Sequence, residues 1–404
     1  MSRAFRLRVA GAAGLVALGV TTVPLAVVHA AGTVDVDCGD VAGLVSAMAA
    51  ATGPTTLNLN ADDVSGCIYT LTAPYSSTSD GLPPVGGAIT VNGNGATIAR
   101  SSAATAFFRL VEVDLGGSLT MNDLTLTGGS VPRDCDGVGG GIEDAGGTVT
   151  LERVAVTGNA ACNGGGIHSD ALAPGKLVLV DSIVSGNTAA GGFGGGIDAE
   201  LGSTVTLLRT TVSGNTAYHC GGLVSAGAAT VTDSVVSGNS TTGTGGGVCN
   251  QGAMTFTGGR IEGNTAGIGG GVANWTSMTV TGTTVDENSA SFGGGFENDG
   301  VLELSESTVE INSATIGGGI YDNGEVVATA TSIDTNRSTG SGAAISVNGG
   351  RIALSGGTVR YNQAGSGAAV ENDFQGVAVA AGVTFAGNTP AACAPSGSVV
   401  GCMG

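Results

Sequence analysis

The sequence predicts an all-β fold, a right-handed parallel β-helix of about 10–12 coils with three short strands each and a small N-terminal helical cap. Two signatures predict it: an asparagine recurs every 24 to 28 residues, and a small-residue triad followed by one bulky apolar residue recurs with the same period. The composition agrees, because 75 glycines, 42% hydrophobic residues and 4% aromatic residues suit a narrow core of small, stacked side chains.

The first signature is a β-branched or aromatic residue, two spacers and then asparagine. Its asparagines are Asn159, Asn187, Asn215, Asn239, Asn264, Asn288, Asn312, Asn336, Asn362 and Asn388. We predict that each lies in a turn, where its amide bonds to the backbone and to the equivalent asparagines above and below. Ligand binding is the alternative, but ten identical positions favour a structural ladder.

The second signature begins with Gly139-Gly140-Gly141-Ile142. Its later bulky residues are Ile167, Ile197, Leu223, Val248, Val272, Phe296, Ile320, Ile345 and Val370. Glycine tolerates positive φ and close backbone approach, so the triads indicate tight turns. A third segment alternates, as in Thr204-Val205-Thr206-Leu207, which is typical of a strand with one buried face.

Four segments are predicted along the chain. They are a signal peptide at 1–30, an N-terminal cap with a short helix and the first strands at 31–88, the β-helix repeats at 89–389, and a C-terminal cap at 390–404. The basic start at Arg3, Arg6 and Arg8 and the apolar run after it favour a cleaved leader over the alternative, a membrane anchor. In the cap we predict a helix from Val41 to Ala51 with Asp40 as its N-cap.

The eight cysteines predict disulfide bonds, because a secreted chain enters an oxidising space. The candidate pairs either bracket an end of the mature chain or lie about one repeat apart. They are Cys38–Cys67, Cys135–Cys162, Cys220–Cys249 and Cys393–Cys402. We therefore expect a secreted protein, released or associated with the cell wall, with no membrane span in the mature chain.

Acidic residues outnumber basic ones, 32 Asp and Glu against 13 Lys and Arg, which gives a net charge of −19. Such a chain repels phosphate backbones, so nucleic-acid binding is excluded. The densest acidic cluster includes Asp286, Glu287, Glu297, Asp299, Glu303 and Asp322. A solvated acidic face is the main interpretation and weak calcium binding the alternative. We expect no other cofactor, and no metal ligand is assigned.

No catalytic residue is predicted. A lyase needs carboxylates for calcium and a basic residue for the proton, and a glycosidase needs acids across one groove. The three histidines are separated in the sequence, and His168 and His219 are placed in or beside turns. Threonines in Thr-x-Thr segments, from Thr204 and Thr206 to Thr279 and Thr281, suggest a flat outward grid of the kind found on ice-binding β-helices.

The two signatures together resemble the polymorphic outer-membrane-protein repeats, which pair a Gly-Gly-Ala-bulky motif with Phe-x-x-Asn. Here valine or isoleucine replaces most of the phenylalanines, and glycine replaces the alanine. The stretch from Cys38 to Ile98 resembles the cap of secreted bacterial right-handed β-helix proteins. The resemblance implies the pectin-lyase-like β-helix fold and a surface or secreted protein linked to adhesion.

We therefore expect a secreted, non-enzymatic, adhesion-type protein that presents one face to a polysaccharide or a cell-surface protein. The first alternative is a polysaccharide lyase or glycoside hydrolase of the pectin-lyase-like fold. The second is ice binding through the Thr-x-Thr strands. The ligand and the oligomeric state stay open at this point.

Overall fold

The computed structural model confirms the right-handed parallel β-helix. It describes residues 32–76, 79–132, 137–170, 175–373, 376–395 and 397–402, so the predicted signal peptide lies outside the described residues. The solenoid makes about 14 turns, more than the ten to twelve expected. The extra turns come partly from the cap segment, whose strand Gly32–Val36 pairs in parallel with Thr55–Leu59. Among the described residues, no helix combines the length and apolar character needed to cross a membrane.

The strands form one large sheet, a 12-stranded sheet and two sheets of four strands. The large sheet comprises Gly32–Val36, Thr55–Leu59, Ile68–Leu71, Ala88–Asn92, Thr97–Arg100, Ser118–Thr127, Thr148–Thr157, Lys176–Val180, Ile183–Ser185, Thr204–Leu208, Thr211–Ser213, Ala228–Thr232, Val235–Ser237, Ala253–Thr257, Arg260–Glu262, Ser277–Thr281, Thr284–Asp286, Val301–Ser305, Thr308–Glu310, Glu325–Thr329, Ser332–Asp334, Arg351–Ser355, Thr358–Arg360, Val377–Ala381, Thr384–Ala386 and Val399–Val400. The 12-stranded sheet, here called the groove sheet, comprises Val111–Val113, Ile142–Asp144, Ile167–Ser169, Ile197–Ala199, Leu223–Ser225, Val248–Asn250, Val272–Asn274, Phe296–Asn298, Ile320–Asp322, Ile345–Asn348, Val370–Asp373 and Cys393–Ala394. The side sheets comprise Ala160–Ala161, Thr188–Phe193, Thr216–His219 and Ser240–Thr241, then Ser289–Phe292, Ser313–Ile316, Arg337–Ser338 and Gln363–Ala364.

One coil shows the path of the chain. Thr204–Leu208 lies in the large sheet, and the chain bends at Arg209, whose φ is +47°, into Thr211–Ser213 of the same sheet. The side strand Thr216–His219 and the groove strand Leu223–Ser225 complete the coil. Coils with a side strand thus hold four short strands. The side strands escaped prediction because they follow the asparagine directly and are short, with little apolar alternation.

The core is a stack of identical positions. The bulky residue of the first signature is buried in successive coils, as at Val212, Val236 and Ile261, and so is that of the second signature, as at Leu223 and Val248. Parallel pairing sets equivalent residues side by side about 4.8 Å apart, so each apolar column is continuous along the rod.

The N-terminal helix, α1, spans Val41–Ala49. The Asp40 side chain accepts a hydrogen bond from the backbone N–H of Gly43, which confirms it as the N-cap. Leu44 and Met48 are buried at the start of the solenoid core. The helix therefore covers the apolar end of the first coil, where an open strand stack would otherwise be exposed.

The ten asparagines of the first signature form one continuous column. The Asn239 Oδ1 accepts from both the backbone N and the Nδ2 of Asn215, at 3.0 and 2.9 Å. The Asn239 Nδ2 donates to the Val212 carbonyl at 2.9 Å and to the Asn264 Oδ1 at 3.0 Å. The same pattern runs from Asn159 to Asn388, and all but the last are fully buried. Every member except those at the ends thus has its amide partners inside the protein.

The triad glycines make room for this column. A Cβ on Gly271 would lie 2.6 Å from the Gly295 carbonyl oxygen and 3.1 Å from the Asn288 Nδ2. Real Cβ atoms do not approach backbone so closely, so the third triad position requires a residue without a side chain, or a local shift of the backbone.

Three of the candidate disulfides are formed: Cys38–Cys67, Cys220–Cys249 and Cys393–Cys402. The first and third tie the two ends of the described chain, and Cys220–Cys249 joins neighbouring coils near its middle. Cys135, the predicted partner of Cys162, lies outside the described residues.

Candidate functional site

A groove follows the outward face of the groove sheet. In each three-residue strand the first and third side chains point toward the core and the middle one points outward, as expected from the two-residue period. Parallel pairing places the middle residues in one line, here called the floor column. It consists of Glu112, Glu143, His168, Asp198, Val224, Cys249, Ala273, Glu297, Tyr321, Ser346 and Glu371. Because the strands stack along the rod, the groove runs parallel to the solenoid axis.

Two walls flank the floor column, so most of its members are buried although they face outward. The first wall is a mostly apolar and aromatic row formed by the last residues of four side strands and by the equivalent residues of the two coils between them. Its residues are Phe193, His219, Thr244, Ile268, Phe292 and Ile316. The second wall follows the groove strands, with Glu200, Leu201, Ala226, Gln251, Trp275 and Thr276.

An ionic cluster occupies the N-terminal part of the groove. The His168 ring lies between carboxylates: its Nδ1 is 3.3 Å from Glu143 Oε1, and its Nε2 is 3.3 Å from Glu200 Oε1 and 3.8 Å from Asp198 Oδ2. The Arg109 Nη1 lies 3.6 Å from the second oxygen of Glu143. Three of these five side chains are acidic and two are basic. All of them except Glu200 are buried, with side-chain exposures of 11% or less.

Burial and close charges shift the pKa values of this cluster. Burial lowers the pKa of His168, but hydrogen bonds to Glu143 and Glu200 outweigh it and raise the pKa to about 10. Burial raises the pKa of Asp198 to about 6 against the attraction of His168. Burial also raises the pKa of Glu112 to about 7, with a further contribution from its hydrogen bond to Asp80. The carboxyl groups of Asp198 and Glu112 therefore titrate closer to neutral pH than isolated carboxyl groups do.

The middle of the groove is apolar. Cys220, Val224, Cys249 and Ala273 form a small buried cluster separate from the main core, and Trp275 packs against it from the second wall. On the first wall, opposite Trp275, the rings of Phe193 and His219 stack on each other with their centres 5.3 Å apart. These two walls enclose a depression of about 410 Å³ between Phe193 and Trp275.

The C-terminal part of the groove carries acids again. Glu297 is 5% exposed, and in the described part of the chain its Oε2 has no hydrogen-bond partner. Burial and the charge of Asp299 raise the pKa of Glu297 to about 8. On the inward side of the next groove strand, burial raises the pKa of Asp322 to about 6 despite a hydrogen bond from Asn298. Tyr321, the next floor residue, packs against Phe292 with ring centres 5.3 Å apart.

The structure divides the acidic cluster that the sequence grouped together. Asp286 is buried on the large sheet and pairs with Arg260. Glu287 lies at a bend with a φ of +56°, and Glu303 is exposed on the large sheet beside Thr279. Glu297 lies on the groove floor with Asp299 close to it, whereas Asp322 occupies the inward third position of strand Ile320–Asp322, from which its charge still acts on Glu297. Among the described residues these acids do not form a set of three with ligand atoms within 4.8 Å, so the geometry gives no support to the calcium face.

The threonine grid is shorter than the sequence indicated. Thr204 pairs with Ala228, not with Thr230, so its column contains alanine and serine. One threonine column covers four coils through Thr206, Thr230, Thr255 and Thr279, and the other covers three through Thr232, Thr257 and Thr281, because Leu208 precedes Thr232. Glu303 interrupts the first column in the next coil.

Sequence reasoning missed the most connected residues of the groove. His168 was placed in or beside a turn, but it lies in the middle of strand Ile167–Ser169. The signal was present: the residue directly after the bulky position of the second signature is Glu143, then His168, then Asp198 in successive repeats. Reading that position down the repeats identifies the floor column. The ion pair of Arg109 with Glu143 could not be predicted in this way, because the coil that contains Arg109 precedes the first glycine triad.

The comparisons with known proteins found no relative. No protein-family model, curated protein or solved structure matches the chain. The function must therefore be inferred from the groove and its chemistry.

Proposed function

We propose that this chain is an extracellular carbohydrate-binding protein that holds a neutral polysaccharide along the groove. The main support for this proposal is the depression of about 410 Å³ that Phe193 and His219 bound on one wall and Trp275 bounds on the other. Aromatic rings offer flat apolar surface to the C–H faces of sugar rings, and the polar edges of the groove suit their hydroxyl groups. The groove is open along the rod, so an extended polymer can continue past the aromatic site.

The charge of the groove supports a neutral polymer. Glu143 and Asp198 lie on its floor, and the whole chain has a net charge of −19. Uronate-type polymers would bring further carboxylates toward these acids and would be repelled. We therefore favour neutral polysaccharides over pectin- or alginate-like ones.

An extracellular location is part of the proposal. The three disulfides, Cys38–Cys67, Cys220–Cys249 and Cys393–Cys402, are stable in an oxidising compartment and rare in the cytosol. The basic, apolar leader in residues 1–30 and the resemblance to adhesion-linked repeats with a pectin-lyase-like fold support secretion and surface association.

We expect Trp275→Ala to weaken polysaccharide binding about thirtyfold or more, because truncating a central aromatic anchor typically costs about 2 kcal/mol or more. Affinity electrophoresis in gels containing β-glucan, xylan, mannan, pectin or alginate measures the effect. Phe193→Ala should weaken binding in the same gels. Circular dichroism of each variant establishes that the β-helix is intact.

Tyr361→Ala is the matched control, because Tyr361 is 63% exposed and lies outside the groove, next to Asn362. It should bind as the unmodified protein does. Failure of the unmodified protein to bind any of the five polymers would refute the proposal, as would equal losses in Trp275→Ala and Tyr361→Ala.

Hydrolysis is the second candidate, since Asp198 and Glu297 have raised pKa values of about 6 and 8 and such carboxyl groups serve as general acids. They lie four coils apart, however, about 19 Å at 4.8 Å per coil. A glycosidase pair flanks one bond at about 5 to 9.5 Å. Glu143 and Asp198 are nearer, but the His168 ring fills the space between them. Release of reducing ends during the binding assay would establish hydrolysis in place of simple binding.

A further inference from the structure

Three side chains in the ionic cluster converge on one point. His168 and Asp198 lie on adjacent groove strands, and Glu200 follows directly after the second of these. One ligand atom from each, the His168 Nε2 and a carboxylate oxygen of Asp198 and Glu200, lies within 4.8 Å of the other two. The two distances from Nε2 are 3.3 and 3.8 Å. A cation bound about 2.1 Å from each atom holds its ligands at comparable separations.

Asp198 is the side chain that most needs such a cation. It is 4% exposed, and within the described residues its carboxylate makes no hydrogen bond. Its nearest positive neighbour, the His168 Nε2, lies 3.8 Å away, beyond hydrogen-bond distance. A buried carboxylate without hydrogen bonds is unfavourable, and a bound cation would remove that penalty.

The opposite side of the imidazole is already held. The His168 Nδ1 lies 3.3 Å from Glu143 Oε1, and Arg109 pairs with the other oxygen of that carboxylate. A carboxylate on the second ring nitrogen is the usual partner of a metal-bound histidine, because it orients the ring and increases its basicity. The ring is therefore oriented with Nε2 toward Asp198 and Glu200.

We propose that His168, Asp198 and Glu200 bind one divalent transition-metal ion of the Zn²⁺ type, which displaces the proton of the His168 Nε2 into solvent. An imidazole with two carboxylates suits such an ion, whereas Ca²⁺ and Mg²⁺ prefer sites made of oxygen alone. Three protein ligands leave at least one coordination position open. Asp198 and Glu200 line a depression of about 270 Å³ that shares Phe193 with the aromatic site. This inference goes beyond polysaccharide binding and does not depend on it.

The test is Zn²⁺ binding by the full chain without a histidine tag, after removal of metal with EDTA, using competition against a chromophoric chelator. We expect one Zn²⁺ per chain, and at least tenfold weaker binding for Glu200→Gln. Glu200 is 37% exposed at its side chain, so this variant should fold, and circular dichroism verifies it. Glu143→Gln should weaken binding about tenfold, as expected for the partner of a ligating histidine.

Two controls match these variants. His219→Gln alters the other histidine of the groove and Glu303→Gln an exposed acid of the large sheet, and both should keep the affinity of the unmodified protein. No Zn²⁺ uptake by the unmodified protein would overturn the proposal. Equal affinity of Glu200→Gln, or Ca²⁺ binding as tight as Zn²⁺ binding, would overturn it too. Polysaccharide binding is measured separately in the presence of EDTA. Binding without metal would show that the proposed function holds even if the Zn²⁺ proposal fails.

Discussion

Asn239→Ala should destabilise the protein by about 4 kcal/mol, because it leaves several buried polar groups without partners. The Asn215 backbone N–H and one Asn215 Nδ2 hydrogen lose the Asn239 Oδ1, and the Val212 carbonyl loses the Asn239 Nδ2. Each unsatisfied buried group costs about 1 to 3 kcal/mol. Asn239 is fully buried near the middle of the rod, so water cannot easily replace the lost partners.

Urea unfolding measured by circular dichroism quantifies this loss. The matched control is Asn323→Ala, which removes an exposed asparagine that also bonds between coils, to Asp299 and Asn348. We expect the control to lose less than about 1 kcal/mol, because water replaces partners at the surface. Equal losses for the two variants would show that the buried ladder has no special role in stability.

Glu297 should make the protein less stable as the pH rises from about 5 to about 8. Burial first, and then the charge of Asp299, raise its pKa in the folded state from 4.5 to about 8. Across that window the unfolded chain has lost the proton and the folded chain still holds it, so the folded state binds more protons. Stability therefore falls with increasing pH, by up to about 1.36 kcal/mol per pH unit from this group alone. Below the unfolded-state pKa the stabilisation is fully present.

Glu297→Gln isolates this contribution, since glutamine resembles the protonated acid and cannot ionise. Thermal unfolding at closely spaced pH values from 4.5 to 9 should give similar stability for both proteins at the acidic end. The variant should become progressively more stable than the unmodified protein toward pH 8. Glu303→Gln, an exposed change in the same coil, should follow the unmodified protein throughout. A difference between Glu297→Gln and the unmodified protein that does not vary with pH would contradict the assignment.

The fold was predictable because its determinants recur in the sequence. The asparagine of each repeat bonds to the next asparagine, and the glycine triad gives it room, so both positions tolerate little change. The side strands were not predictable, because their backbone pairs through short segments such as Ser240–Thr241 that lack an apolar pattern.

The candidate site was less predictable, because its residues come from different coils and become neighbours only when those coils stack on one another. Glu143, His168 and Asp198 are 25 to 30 residues apart in the sequence and become neighbours once the coils are aligned on their triads. The coil lengths differ around His168, which obscured that alignment. The residues of the acidic cluster show the opposite relation: Asp286 and Glu297 are close in sequence but lie on different sheets of the same rod.

The fluorescence of Trp275 during polysaccharide titration tests the central claim, that the groove is the binding face. Trp275 is the single tryptophan of the sequence and forms part of the second wall, so its emission reports on the groove alone. We expect a saturable shift to shorter wavelength and protection from acrylamide quenching, with the midpoint found in affinity electrophoresis. A polysaccharide that binds without changing either property of Trp275 would place the binding face elsewhere on the rod.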